Sequence, residues 1–278
     1  MSQPAWRILE SVTVDDILVE ILEWSAFGGL TDPRALEQLA WLKMAALPVR
    51  QVRITLNHKG AVILEAGAMQ FHAGRFDIDN SIPMDTRGLR RLFGAMVTGE
   101  RLFRPVYRGS GTIWLEPSFQ NFLLVGLRDE SIVVDQGMFL CCDAGIQVAS
   151  RMQGNVSAAL FGGEGLFQTH LSGTGFVVLT SPVPMSEIVK ISLTPGEKVV
   201  LDGSFALLRS GTVKFSVGKS SRTWFGTSMT GQGLVQTFEG KGEVWIAPML
   251  PVYDRLSTLA RPPLPGPPVP PDAGSSLR

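Results

Sequence analysis

Gly99-Glu-Arg-Leu-Phe-Arg-Pro-Val-Tyr-Arg-Gly-Ser-Gly-Thr-Ile-Trp-Leu-Glu-Pro117 decides the fold of this chain, because the pattern returns twice. The second version is Gly163-Glu-Gly-Leu-Phe-Gln-Thr-His-Leu-Ser-Gly-Thr-Gly-Phe-Val-Val-Leu-Thr-Ser-Pro182. The third is Gly231-Gln-Gly-Leu-Val-Gln-Thr-Phe-Glu-Gly-Lys-Gly-Glu-Val-Trp-Ile-Ala-Pro248. The opening glycines, at 99, 163 and 231, stand 64 and 68 residues apart. Each version leads from an apolar strand through Gly-x-Gly (Gly109/Gly111, Gly173/Gly175, Gly240/Gly242) into a strand of β-branched and aromatic residues, and a proline ends it. Glycine suits a tight turn because positive φ is cheap only without a Cβ. Proline suits the point where ladder hydrogen bonding stops. The pattern predicts a hairpin at each Gly-x-Gly.

Another pattern precedes each of these. Ile54 to Met69, Val125 to Phe139 and Ile191 to Phe205 each read as strand, polar turn, strand, then a glycine (Gly67, Gly137, Gly203). Two hairpin patterns recurring in one order imply three tandem units of about four strands each. The expectation is an all-β domain over residues 49–255, of sandwich, barrel or prism type.

Residues 1–48 read as a helical segment. Thr13-Val-Asp-Asp16 offers an N-cap and early acids for a helix to about Trp24, stopped by Gly28-Gly29. Thr31-Asp32-Pro33 offers a second start, ended by Pro48. Arg7, Arg34 and Lys43 face seven acids there, a net charge of −4, which argues against a helix that binds an anionic membrane. Residues 256–278, proline-rich from Arg261 onward, read as an extended, disordered tail, since proline supplies no backbone donor.

Gly163-Glu-Gly-Leu-Phe-Gln-Thr169, Gly173-Thr-Gly175, Val199-Val-Leu-Asp-Gly203 and Ala66-Gly-Ala-Met69 resemble stretches of the altered-inheritance-of-mitochondria type 24 family, many of whose members are bacterial. The resemblance covers roughly residues 50 to 255. It implies a fold similar to the tryptophan RNA-binding attenuator protein and, for mitochondrial members, a link to inner-membrane organisation. It implies no catalytic activity. The matching motifs are glycines and strand residues, so they speak to fold and not to chemistry.

The chain's own chemistry is sparse. Lys plus Arg (25) balances Asp plus Glu (25), so no basic surplus marks a phosphate-binding protein, and no nucleic acid is expected. Arg87, Arg90 and Arg91 form a local basic patch that reads as solvated surface. No run reaches the ~18 apolar residues of a membrane-spanning helix. The start lacks the basic-then-apolar order of a secretory signal. His58, His72 and His170 have no ligand partner at metal-site spacing, so no metal or cofactor is expected. Cys141 and Cys142 are adjacent and, in a strand, point to opposite faces, which suits core packing in a reducing compartment.

Glu100 and Glu164 occupy matching positions, but the third version holds Gln232, which cannot titrate; a shared hydrogen-bonding role at a turn explains all three. Ser110 sits where Thr174 and Lys241 sit, which suits a turn and not a nucleophile. Trp114 and Trp245 share one strand position and read as packing residues. No catalytic constellation emerges; Arg104, His170 and Glu239 are the polar residues that break the repeat. The sequence therefore points to a non-enzymatic scaffold, either cytoplasmic or peripheral at a membrane, that forms a homo-oligomer or docks a protein partner through the N-terminal helices or the tail. A small-ligand or nucleic-acid binding module of attenuator-like fold is the alternative.

Overall fold

The computed structural model describes residues 5–25, 29, 32, 36, 39–40, 42, 44, 47–79, 104–135, 137–152, 167–219 and 234–259. It is overwhelmingly β. A hairpin of β1 (Trp6–Val14) and β2 (Ile17–Trp24) comes first. A first strand set follows: β3 (Val49–Leu56), β4 (Ala61–Leu64), β5 (Met69–Asp79) and β6 (Val106–Leu115). The second set is β7 (Asn121–Asp135), β8 (Phe139–Asp143), β9 (Gln147–Met152) and β10 (Phe167–Ser181). The third is β11 (Val189–Leu193), β12 (Lys198–Asp202), β13 (Ala206–Ser210), β14 (Lys214–Lys219), β15 (Leu234–Glu239) and β16 (Gly242–Ile246). One helix, α1 (Leu250–Leu259), comes last. Among the described residues thirteen strands form one sheet, and β12, β15 and β14 form another.

In each set the tract carrying Gly-x-Gly is central. β6 lies between β3 plus β4 and β5. β10 lies between β7 and the pair β8 and β9. β15 and β16 run end to end between β12 plus β11 and β14 plus β13. The second glycine faces a leucine each time: Gly111 faces Leu56, Gly175 faces Leu127 and Gly242 faces Leu193.

The expected tight turns are corrected here. Gly109 and Gly111 lie inside β6, and Gly173 and Gly175 lie inside β10. Only Gly240-Lys241 falls between strands, where β15 hands over to β16. The glycines bend a strand and do not reverse it. Gly109 and Gly111 have φ of +141° and +144°, and a Cβ on either would drive into the β5 backbone at Arg75 or Ala73. Only glycine allows that approach. The expected polar hairpins are corrected likewise. β3 and β4 both pair β6 and continue each other across residues 57–60, and β11 and β12 do so across 194–197. In β7 the polar Arg128-Asp129-Glu130 is a bulge opposite Gly173 and Thr174.

The N-terminal helix is also corrected. Asp15 and Asp16 form the two-residue turn of the β1–β2 hairpin, with Asp15 at φ +49°, a conformation aspartate tolerates. Ile17, Val19 and Ile21 alternate into the core with Val52 and Ile54. The acids of β2 face arginines of β3: Glu20 lies opposite Arg53, and Glu23 opposite Arg50. Arg53 Nε donates to Glu20 Oε2 at 2.6 Å. Further on, Leu36, Leu39, Ala40, Leu42 and Met44 are helical, in the stretch where a second helix is expected. At the other end α1 runs through residue 255, so the boundary between domain and tail expected there falls within a helix. The tail from residue 260 lies outside the described residues.

Three apolar clusters form, one centred on each set, and the first two reach across a seam: Phe122, Phe176 and Val178 of the second set join the first, and Leu207, Leu208 and Trp245 of the third set join the second. Ile54, Leu64, Ile113 and Leu115 centre the first; Leu123, Leu171 and Leu179 the second; Leu201, Phe215 and Phe238 the third. Cys141 packs in the first cluster and Cys142 in the second, as opposite faces of one strand require.

Candidate functional site at the seams between strand sets

Polar and charged side chains are buried where one set meets the next. At the first seam β4 pairs β8, with Val62 opposite Asp143, Ile63 opposite Cys142 and Leu64 opposite Cys141. Arg104, buried just before β6, donates from Nε to Glu65 Oε2 at 2.7 Å. Its guanidinium lies 4.9 Å from the centre of the Phe139 ring. Its Nη1 is buried and, among the described residues, has no hydrogen-bond partner.

At the second seam β7 pairs β13, with Ile132 opposite Ser210, Val133 opposite Arg209 and Val134 opposite Leu208. Arg209 is buried there. Its Nη1 donates to Val213 O at 2.6 Å and its Nη2 to Gln168 Oε1 at 3.3 Å, while Nε has no partner among the described residues. Loss of hydration lowers the Arg209 pKa from its usual value. Asp135 lines the same cavity. Burial pushes its carboxyl up to about 6, against the opposing pull of a hydrogen bond from Gln168. Among the described residues Asp135 and Arg209 form no ion pair. The cavity they share encloses about 50 Å³. That suits one or two water molecules and is far below the roughly 300–1,000 Å³ of small-molecule sites.

Beside this seam an open groove of about 660 Å³ runs between β7 and the β13–β16 pair. Asp129, Glu130 and Glu243 line it with Lys241 and Trp245, so its charge is net acidic. The matching groove at the first seam, about 410 Å³, is bordered by Asp15, Asp16, Lys59 and Asp143. Chemically the seams can hold a proton at Asp135 up to about pH 6, but they offer no activated thiol. Burial raises the pKa of both cysteines, which keeps them as thiols.

The residues singled out from sequence scatter. Glu100, Glu164 and Gln232 lie outside the described residues, as do Arg87, Arg90 and Arg91. Ser110 Oγ accepts a hydrogen bond from the His58 N–H at 2.9 Å, and Thr174 Oγ1 accepts one from the Asp129 N–H at 3.0 Å. Both tie the strand bend to the bulge or link facing it. Of the three symmetry-breaking residues, Arg104 belongs to the first seam, His170 faces Val133 near the second, and Glu239 sits opposite Lys198 and Lys214. Trp114 packs edge-on to Trp6 and stacked on Phe71, with Arg53 5.3 Å from its ring centre. Trp245 carries Lys190 at 3.8 Å. Among the described residues no three His, Cys, Asp or Glu side chains come together as a metal site. No helix there is long and apolar enough to cross a membrane.

Sequence reasoning missed Arg209, Asp135 and Gln168. The available signal was a charge inside the apolar run Ala206-Leu-Leu-Arg-Ser210.

The sequence from residue 44 to 249, which takes in all three strand sets and both seams, matches the family described as mitochondrial biogenesis AIM24. The chain belongs to that family. The β1–β2 hairpin lies outside the matched residues, so the AIM24 match begins just before the first strand set. An uncharacterized protein of Streptococcus pyogenes serotype M6 is 29% identical over 203 residues, 70% of this chain and 79% of its own length. The crystal structure of a Streptococcus pyogenes protein shares the fold at a TM-score of 0.52 and 23% identity, covering 77% of this chain and 94% of that one.

Proposed function

We propose that this AIM24-family chain is a non-enzymatic β scaffold, built from three copies of one strand unit, that associates with further copies of itself or with a protein partner. The observation that carries this reading is the pair of seams. β4 meets β8 and β7 meets β13 by the same edge-to-edge pairing, so the chain already uses strand addition to join its parts. The family is described as mitochondrial biogenesis AIM24, and the resemblance implies a link to inner-membrane organisation for its mitochondrial members, a setting in which a repeated β unit would act as a spacer or clamp. The test is the native mass of the full chain, by light scattering behind size exclusion over a hundredfold range of concentration. The expected result is an oligomer; a monodisperse monomer at tens of micromolar would remove self-association as its function.

A second reading rests on the groove of about 660 Å³ at the second seam. Its size suits a small ligand, and its acidic lining favours a cationic or polar one over nucleic acid. Thermal shift of the full chain and of a Trp245→Ala variant against a metabolite pool tests it. A shift in the parent, reduced in the variant, would favour this reading over the scaffold.

A further inference from the structure

The two seams share one register, and that register has a third position left unfilled. With the strand sets aligned on their Gly-x-Gly pairs, Val62, Ile63 and Leu64 of β4 correspond to Ile132, Val133 and Val134 of β7, and to Val199, Val200 and Leu201 of β12. On the other side of the centre, Phe71, His72 and Ala73 of β5 correspond to Cys141, Cys142 and Asp143 of β8, and to Leu208, Arg209 and Ser210 of β13. All three of these tracts carry a register shift at the same place, between residues 69 and 71, 139 and 141, and 206 and 208. In both seams the first list meets the second in order: Ile63 opposite Cys142, and Val133 opposite Arg209. The pair that would complete the series is β12 with β5. Among the described residues β12 pairs only β15 and β5 pairs only β6.

Burial follows the same logic. Val133, in a filled seam, is 5% exposed, and its counterpart Val200 on β12 is 50% exposed. Leu208 is 4% exposed, and its counterpart Phe71 on β5 is 48% exposed. Two apolar side chains are thus about half exposed at the positions that the second seam buries, on edges where, among the described residues, no further strand pairs.

We propose that β12 of one chain adds to β5 of a second copy, with Val199 opposite Ala73, Val200 opposite His72 and Leu201 opposite Phe71. This rests on the self-association reading and names its interface. The two edges differ, so the contact is head-to-tail, and each added copy leaves one β5 and one β12 free until a ring closes or a filament grows.

Cysteine crosslinking tests it. Full-length Val200→Cys and His72→Cys chains are mixed and mildly oxidised. The native thiols do not compete, because Cys141 and Cys142 are fully buried. The expected result is a covalent dimer that requires both variants, and a ladder of species from the double variant alone. An Asp77→Cys chain, carrying its thiol further along β5, should crosslink at least tenfold less. Val200→Lys should reduce the native mass to that of a monomer with an unchanged circular dichroism spectrum. If the double variant instead forms an internal disulfide without change of mass, the edges close within one chain and the proposal is overturned. If the native mass is oligomeric but no crosslink forms and Val200→Lys has no effect, this interface is wrong while the scaffold reading survives. A monomeric parent overturns both.

Discussion

Asp135 shows how a single residue in this protein works against the rest of the fold. Burial raises its pKa from 3.8 to about 6, so the folded chain holds this proton more tightly than the unfolded one. Its burial therefore costs nothing below about pH 4. The cost grows as the pH rises toward 6 and is complete above it, on the order of 3 kcal/mol. Asp135→Asn is thus expected to be more stable than the parent at pH 7.5, by up to that amount, and equal to it near pH 4. Urea midpoints at the two pH values measure this; a variant less stable than the parent at pH 7.5 would mean that the hydrogen bond from Gln168 outweighs the carboxylate's loss of hydration. The sequence offers little hint of this site. Asp135 follows Ser131-Ile-Val-Val134 like an ordinary strand-ending aspartate, and its environment comes from Gln168 and Arg209, distant in the chain.

At the scale of elements, the central strands depend on their glycines. A Cβ at position 111 would meet the Ala73 carbonyl and, at 2.7 Å, the Gly74 Cα, on a backbone at φ +144°. Gly111→Ala should therefore cost about 3 kcal/mol or more. Gly126 in β7 has open space around it and an ordinary φ, so Gly126→Ala should be neutral or stabilising by about 0.5 kcal/mol. Chemical denaturation of the two variants checks the contrast. Equal effects would mean that the bend tolerates a side chain. The glycines were legible in the sequence, and so was the strand that follows each pair. Their task was not, because a glycine at positive φ serves a turn or a close backbone approach equally well. The β1–β2 hairpin was misread for a related reason. Thr13-Val-Asp-Asp16 resembles a helix start, and only the alternation of Ile17, Val19 and Ile21 marks a strand. That alternation gains its meaning from the edge of β3, which β2 covers.

For the whole molecule, the seams decide how the strand sets hold together. Arg104 is buried and, among the described residues, one of its guanidinium nitrogens has no partner. Removing its carboxylate with Glu65→Ala leaves a buried, unpaired charge and should cost about 3 kcal/mol. Arg104→Met removes the charge, keeps apolar contact with Phe139, and should cost less than about 1 kcal/mol. Thermal unfolding of both variants and of the double variant checks the order. A larger loss from Arg104→Met would show that the guanidinium stabilises the seam beyond its pairing with Glu65.

The β class, the place of the three Gly-x-Gly tracts and the membership in the AIM24 family are legible in the chain's residues alone. These rest on local chemistry: β-branched and aromatic runs, the absence of a Cβ, and prolines where ladders stop. That the glycines lie within strands instead of turning them is a property of the folded molecule. The tertiary structure also decided that residues 6–24 pair as a hairpin, and that buried charges gather where β4 meets β8 and β7 meets β13. Those outcomes depend on which edge lies beside which. Edge pairing is settled by the burial of whole strand faces and the satisfaction of distant backbone groups, quantities that no short stretch of sequence contains.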